Sequence, residues 1–296
     1  MPSRKPDFII IGAAKSGTTT LYKYLCRHPQ IYMCTPKEPD FFSIDINYAK
    51  GIDWYSSLFE NAKPTQICGE ASTTYSRLHQ YPKTVERIAR TVPQVKMIYI
   101  MRHPVDRAYS FYIHRFKGSL HKSEHAVSNS FEETIKEQSE FIDSSHYYYQ
   151  IQQYLQSFEQ KNFLFLLMED LIERPVYTTK KILSFLKVDT NIDLIAQDII
   201  VANKANDYPE WYVRNQLLAP LKKIPGVNTL SSVFPENIKD NIYLRIKKAK
   251  YNKWKKSIDT PPPMLPKTRI MLLEHFKENN LKLAQFLNCD LSHWNH

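Results

Sequence analysis

Lys15, Ser16, Thr18 and Thr19 fall within one short run that starts at one glycine and contains a second, Gly12-Ala-Ala-Lys15-Ser16-Gly17-Thr18-Thr19-Thr20. A tight loop of this kind, opening into the helical pattern Leu21-Tyr22-Lys23-Tyr24-Leu25, aims backbone N–H groups and the positive helix end at an anion, which suits a phosphate or a sulfate. It departs from the nucleoside triphosphatase loop GxxxxGK[ST]. Thr18 follows Gly17 where that loop needs lysine, and the lysine stands two residues before Gly17, at Lys15. The apolar run Val95–Met101 then ends in Arg102, where a magnesium-holding aspartate would be expected. A transferred sulfuryl group carries less negative charge than a phosphoryl group, so a lysine with backbone donors suffices without a metal. The chemistry indicated is sulfuryl transfer.

The elements that must position these residues follow from periodicity. Phe8–Gly12, Ile31–Cys34, Gln66–Glu70, Val95–Met101 and Phe163–Met168 read as buried strands; Ser16–His28, Lys83–Thr91, Pro104–Lys117 and Tyr147–Gln160 have helical spacing. This alternation predicts an α/β fold with a parallel central sheet flanked by helices, its ligands bound beyond the carboxyl ends of the strands. From Pro175 onward the pattern is mainly helical, over Val176–Leu186, Trp211–Lys223, Ile238–Lys256 and Thr268–Leu287, with Pro261-Pro262-Pro263 ending the basic helix. No linker divides the chain, so 1–296 is expected to be a single domain with a helical C-terminal layer.

The chain has 296 residues, 43% of them hydrophobic, and a net charge of +10, which excludes disorder as a description of the whole. The apolar run Phe8–Ile11 is far too short for a membrane span or a secretory leader. Cys26, Cys34, Cys68 and Cys289 form no CxxC pair, and no Asn-x-Ser/Thr site occurs. A cytoplasmic protein without membrane insertion is the expectation. Ten Lys/Arg against Glu236 and Asp240 fall between Lys222 and Lys256. Such a block suits a solvated helix face first, and otherwise an acidic polymer, a nucleic acid or an anionic membrane; of these, no nucleic-acid partner is expected.

Three ordered motifs carry a family resemblance. Ile11–Thr19, then Lys37-Glu38-Pro-Asp-Phe41-Phe42, then Arg102-His-Pro-Val-Asp106-Arg107-Ala-Tyr-Ser110-Phe-Tyr-Ile-His114 resemble the sulfotransferases that use 3′-phosphoadenosine 5′-phosphosulfate (PAPS), which have a P-loop-like fold. The pattern is nearest the heparan sulfate and carbohydrate branch and its bacterial relatives. Met168-Glu-Asp-Leu171 and Asp290-Leu-Ser-His-Trp294 extend the likeness over nearly the whole chain.

The resemblance implies roles by position. Lys15, Ser16, Gly17, Thr18 and Thr19 match the grip on the 5′-phosphosulfate, with Lys15 stabilising the leaving phosphate oxygen. Arg102 and Ser110 match the pair that holds the 3′-phosphate, a task suited to the planar fork of arginine. Glu38 matches the general base, and His114 a histidine that helps to position the acceptor, one turn after Ser110. PAPS is thus the implied donor, 3′-phosphoadenosine 5′-phosphate (PAP) the product, and no metal is implied. Ala71, where heparan sulfate enzymes have lysine after the glutamate of Gly69-Glu70-Ala71-Ser72, speaks against a heparan-type acceptor and for a bacterial natural product, although a saccharide stays open. Lys37-Glu38 as a solvated turn, Arg102 capping the helix or paired with Asp106, Phe41-Phe42 and Tyr147-Tyr148-Tyr149 as core or helix-face residues, His121–Ser130 as a loop over the acceptor and Asn203–Asn206 as a cofactor-covering segment are further readings. A magnesium-dependent nucleotide kinase and a non-enzymatic polyanion-binding module are the rivals. The sequence leaves oligomeric state open.

Overall fold

The computed structural model describes residues 4–119, 127–192, 194 and 261–296. Its strands are β1 (Phe8–Gly12), β2 (Ile31–Met33), β3 (Ile67–Ala71), β4 (Lys96–Met101) and β5 (Phe163–Leu167). They form one sheet in the order β2-β3-β1-β4-β5, and every pair is parallel. The five strands lie within a residue or so of their predicted bounds, because continuous apolar runs such as Phe8-Ile9-Ile10-Ile11 suit only a strand covered on both faces.

Those two faces are visible in the packing. Ile9, Ile11, Met97, Tyr99 and Met101 point to one side, where they meet Phe41, Tyr55, Tyr75, Tyr147 and Trp294. Phe8, Ile10, Ile98 and Ile100 point to the other, against Leu21, Leu25, Ile182 and Leu183. This is the period-two alternation of a pleated strand.

The helices are α1 (Thr18–Leu25), α2 (Asp45–Tyr48), α3 (Gly51–Ser57), α4 (Thr84–Thr91), α5 (Pro104–Ser119), α6 (Phe131–Glu137), α7 (Glu140–Asp143), α8 (Tyr147–Leu155), α9 (Met168–Glu173), α10 (Pro175–Leu186) and α11 (Pro266–Leu287). Two predicted helices are shorter than their patterns. Ser16 and Gly17 belong to the loop, since Gly17 takes the left-handed conformation (φ 91°) at the N-cap of α1. Helix α8 stops at Leu155, before the 3₁₀ turn Gln160–Asn162. Short α2, α3, α6, α7 and α9 were not predicted, because four to seven residues hold too few apolar positions to show a 3.6-residue period.

The described residues 4–194 and 263–296 belong to one compact unit. Helix α5 carries Val105, Ala108, Phe111, Tyr112 and Phe116 into a separate apolar cluster with Phe131, Phe141, Leu272 and Phe276. The predicted helices Trp211–Lys223 and Ile238–Lys256, the whole Lys222–Lys256 basic block and Asn203–Asn206 lie outside the described residues, as does most of His121–Ser130. Among the described residues, no helix is long and apolar enough to cross a membrane.

Candidate active site

The chain leaves β1 toward β2 on one side of the sheet and leaves β4 toward β5 on the other. The crevice between these two strand exits is therefore the switch point at which such sheets bind ligands. Its walls are the Gly12–Gly17 loop and Arg102. They touch directly: Arg102 Nη1 donates to the Lys15 carbonyl at 3.4 Å.

Two glycines shape the loop. Gly12 has φ 148°, and a Cβ there would stand 2.0 Å from Ser76 Oγ, so the exit of β1 passes tightly against the 3₁₀ turn Thr73–Ser76. Gly17 turns the chain into α1, which has no side-chain cap and no acid in its first turn. The first N–H groups of a helix have no partner within it, and here no carboxylate competes for them. Lys15 itself is left-handed (φ 69°), a conformation that costs a non-glycine residue about 1–2 kcal/mol and is kept where its surroundings impose it. The Ser16 hydroxyl is fully buried and has no hydrogen-bond partner. A loop with an orphaned hydroxyl, an uncapped helix start and a lysine is a cradle that fits an anion.

Burial lowers Lys15 to about 8, the Arg102 cation adds to the effect, and Glu38 opposes it. Arg102 does not pair with Asp106. That carboxylate is bonded by Arg269 from α11, at 2.8 Å, which leaves the Arg102 fork to the crevice. The peptide of Arg102 is fixed by Tyr147, whose hydroxyl donates to its carbonyl at 2.7 Å. The next N–H, of His103, donates to Glu169 Oε1 at 3.1 Å, and the same oxygen accepts the Trp294 indole N–H at 3.3 Å. Tyr147 and Trp294 are fully buried, yet both hold the exit of β4 in place. Phe41 and Phe42 are core residues, as one reading had them, while Tyr149 is exposed and stacks on His79.

Glu38 enters from the loop after β2. Its N–H donates to the Ala71 carbonyl at 3.0 Å, which ties this loop to the exit of β3. Its carboxylate is 41% exposed, pairs with Lys37 Nζ at 2.5 Å and accepts the Thr73 hydroxyl at 3.4 Å. Lys37-Glu38 is thus an ion pair that opens to solvent within the site. It places a cation beside the carboxylate even though position 71 carries none.

Helix α5 supplies Ser110, 8% exposed, and His114, whose ring opens to solvent. The surrounding protein mass pushes His114 down to about 4, Lys15 being the next cause and Glu38 the opposing one. Its imidazole is neutral at ordinary pH, able to donate from one nitrogen and accept at the other. Lys15, Glu38 and His114 act on one another electrostatically, so the structure brings together three residues that lie on three segments of the sequence.

Sequence reasoning missed Lys117, a 92%-buried lysine within the electrostatic reach of Lys15 and His114, and the polar set Glu70, Ser72, Thr73 and Thr74. The signal for the latter was present, since 72–76 is the exit of a predicted strand. Among the described residues no group of three or more His, Cys, Asp or Glu is placed to hold a metal ion.

Comparison with known proteins bears on the family and the fold. The chain is 38% identical over 138 residues to the human bifunctional heparan sulfate N-deacetylase/N-sulfotransferase 3, a stretch covering 45% of this chain and 15% of that protein. It is 35% identical over 142 residues to the membrane-associated sulfotransferase kil1 of Dictyostelium discoideum, covering 47% of this chain and 29% of that one. The match thus spans less than a third of the length of either relative. A sulfotransferase structure from Alicyclobacillus acidocaldarius superimposes with a TM-score of 0.67 at 24% identity, over 99% of this chain and 100% of that one, so the fold is shared. The sulfotransferase domain model matches residues 5–261, and with most of its length accounted for in this way the chain belongs to the sulfotransferase family.

Proposed function

We propose that this chain, read as one domain over 1–296, transfers a sulfuryl group from PAPS to a hydroxyl or amine of a small-molecule natural product or a saccharide. The observation that carries the reading is the meeting of Lys15, Glu38 and His114 beside Arg102 at the β1/β4 crevice. When bound, PAPS supplies a sulfuryl group on a phosphate leaving group. The loop of Lys15, Ser16, Gly17, Thr18 and Thr19 binds the 5′ end with its N–H groups and hydroxyls, and Lys15 neutralises charge on the departing phosphate oxygen. Arg102, its fork free of Asp106, and Ser110 bind the 3′-phosphate. Glu38, exposed and paired with Lys37, takes the proton from the acceptor as its oxygen or nitrogen attacks sulfur. His114, neutral and solvent-facing, orients that acceptor. A saccharide is supported by the name of the heparan sulfate relative, whereas Ala71 keeps small-molecule acceptors in the screen.

The test is calorimetric binding of PAP against ADP and ATP in EDTA. PAP is expected to bind at least tenfold more tightly than ADP, and Arg102→Ala to abolish that preference, as loss of a charge-assisted bond worth about 1.5–3 kcal/mol requires. Binding of ATP alone, or binding only with Mg²⁺, would overturn the reading. An acceptor screen with radiolabelled donor would then set a glucosaminyl oligosaccharide against phenols and alcohols.

A further inference from the structure

Two residues of the loop that carries Glu38 are held in the left-handed region, Glu38 at φ 60° and Asp40 at φ 49°, on either side of Pro39. Neither is glycine, so the turn is intrinsically unfavourable by about 1–2 kcal/mol at each position and persists only because its surroundings over-determine it. The fasteners come from the exit of β3. Glu38 N–H is bonded to the Ala71 carbonyl, Asp40 N–H donates to Ser72 Oγ at 3.1 Å, the Thr74 hydroxyl donates to Asp40 Oδ1 at 2.6 Å, and Phe42 N–H donates to the Tyr75 hydroxyl at 3.2 Å.

Behind this row lies Glu70, a carboxylate with no exposed surface. Its Oε1 accepts the Ser72 hydroxyl at 2.8 Å, its Oε2 accepts the Tyr55 hydroxyl from α3, and the Tyr75 hydroxyl also faces it. Burial raises Glu70 to about 7 against the pull of these hydroxyls. Such a group is expensive to bury, and none of its bonds reaches an opposite charge. What it does is orient hydrogens. Above pH 7, where Glu70 is charged, Ser72 commits its proton to that carboxylate, so its Oγ can present only a lone pair to Asp40 N–H, and the charged acceptor strengthens the second bond of the chain.

We infer that Glu70 is a positioning residue for Glu38, acting through Ser72 to lock the left-handed turn that aims the Glu38 carboxylate at the crevice. The inference rests on Glu38 being the base, and its test separates the two. In Ser72→Ala the Asp40 amide loses its acceptor. Hydrogen exchange of the 35–43 peptide is expected to speed by tenfold or more, and kcat for PAP release from PAPS, to water alone and to a glucosaminyl oligosaccharide, to fall at least tenfold at pH 8, with PAP affinity within twofold of wild type. Glu70→Leu, which offers the Ser72 hydroxyl no acceptor, should behave likewise.

Tyr55→Phe is the control. It breaks a bond to the same carboxylate without touching the Ser72–Asp40 line, so it is expected to lower the melting temperature while leaving loop exchange and kcat within threefold. Wild-type exchange in Ser72→Ala, or equal kcat losses in Ser72→Ala and Tyr55→Phe, would overturn the positioning role. Full activity in Glu38→Gln would instead overturn the base assignment, and the loop-exchange comparison would still decide whether Ser72 holds the turn.

Discussion

Affinity for PAP should weaken as pH rises from 7 to 9, because Lys15 is the cation in the cradle and burial lowers it to about 8. A bound phosphate or phosphosulfate would hold the ammonium charged, so the binding cost is that of reprotonating Lys15 in the free protein. The apparent Kd then scales as 1 + 10^(pH − 8), about 1.1-fold at pH 7 and about 11-fold at pH 9, a loss of about 1.4 kcal/mol. An ordinary lysine near 10.4 would change the Kd by only about 4% over that range. The PAP phosphates ionise near pH 6 and contribute little above pH 7. Titration calorimetry in buffers of matched ionic strength, with wild type and Lys15→Met, reads the effect, and the variant should bind weakly and without pH dependence.

Stability supplies a second reading of opposite sign. Lys15 lies lower in the folded state than in the unfolded one, so between about 8 and 10.5 the unfolded chain holds more protons. Charged Lys15 therefore destabilises the free fold, and this penalty is relieved as pH rises through 8. The difference in unfolding free energy between wild type and Lys15→Met should move in favour of wild type from pH 7 to pH 9, while PAP affinity moves against it. A Kd that stays flat to pH 9, or the same weakening in Lys15→Met, would refute the electrostatic account of the cradle.

Glu38→Gln should lower kcat by about 10²- to 10⁴-fold with PAP affinity within twofold, as steady-state kinetics beside calorimetry would read; parallel loss of both would remove it as the base. Gly12→Ala places a Cβ 2.0 Å from Ser76 Oγ at φ 148° and should cost about 3 kcal/mol in urea unfolding, whereas Gly51→Ala, at φ 81° with nothing within 4 Å, should cost about 1 kcal/mol.

Much of the fold was legible because it is written locally. The runs Phe8–Gly12 and Val95–Met101 are continuous in apolar residues and short, a pattern that only a doubly covered strand satisfies, and parallel strands place their exits at one edge. Lys15 and Arg102 were legible for a related reason, since each lies just beyond a strand exit with a side chain suited to an anion, whereas Glu38 and His114 were singled out by the family resemblance of their motifs.

What the sequence by itself determined is therefore the strand content and the reactive side chains. Tertiary structure alone decided their state. Lys15 falls to about 8 because segments distant in the sequence bury it, which no local spacing encodes. Asp106 pairs not with Arg102, four residues before it, but with Arg269, 163 residues after it, and the Arg102 fork meets the Lys15 carbonyl instead. Glu38 points where it does because Ser72, lying 34 residues on and oriented by a buried Glu70, closes a turn that its own residues disfavour. Reactivity of this kind depends on desolvation and on hydrogen-bond partners brought from elsewhere in the chain, and both arise only when the chain has folded.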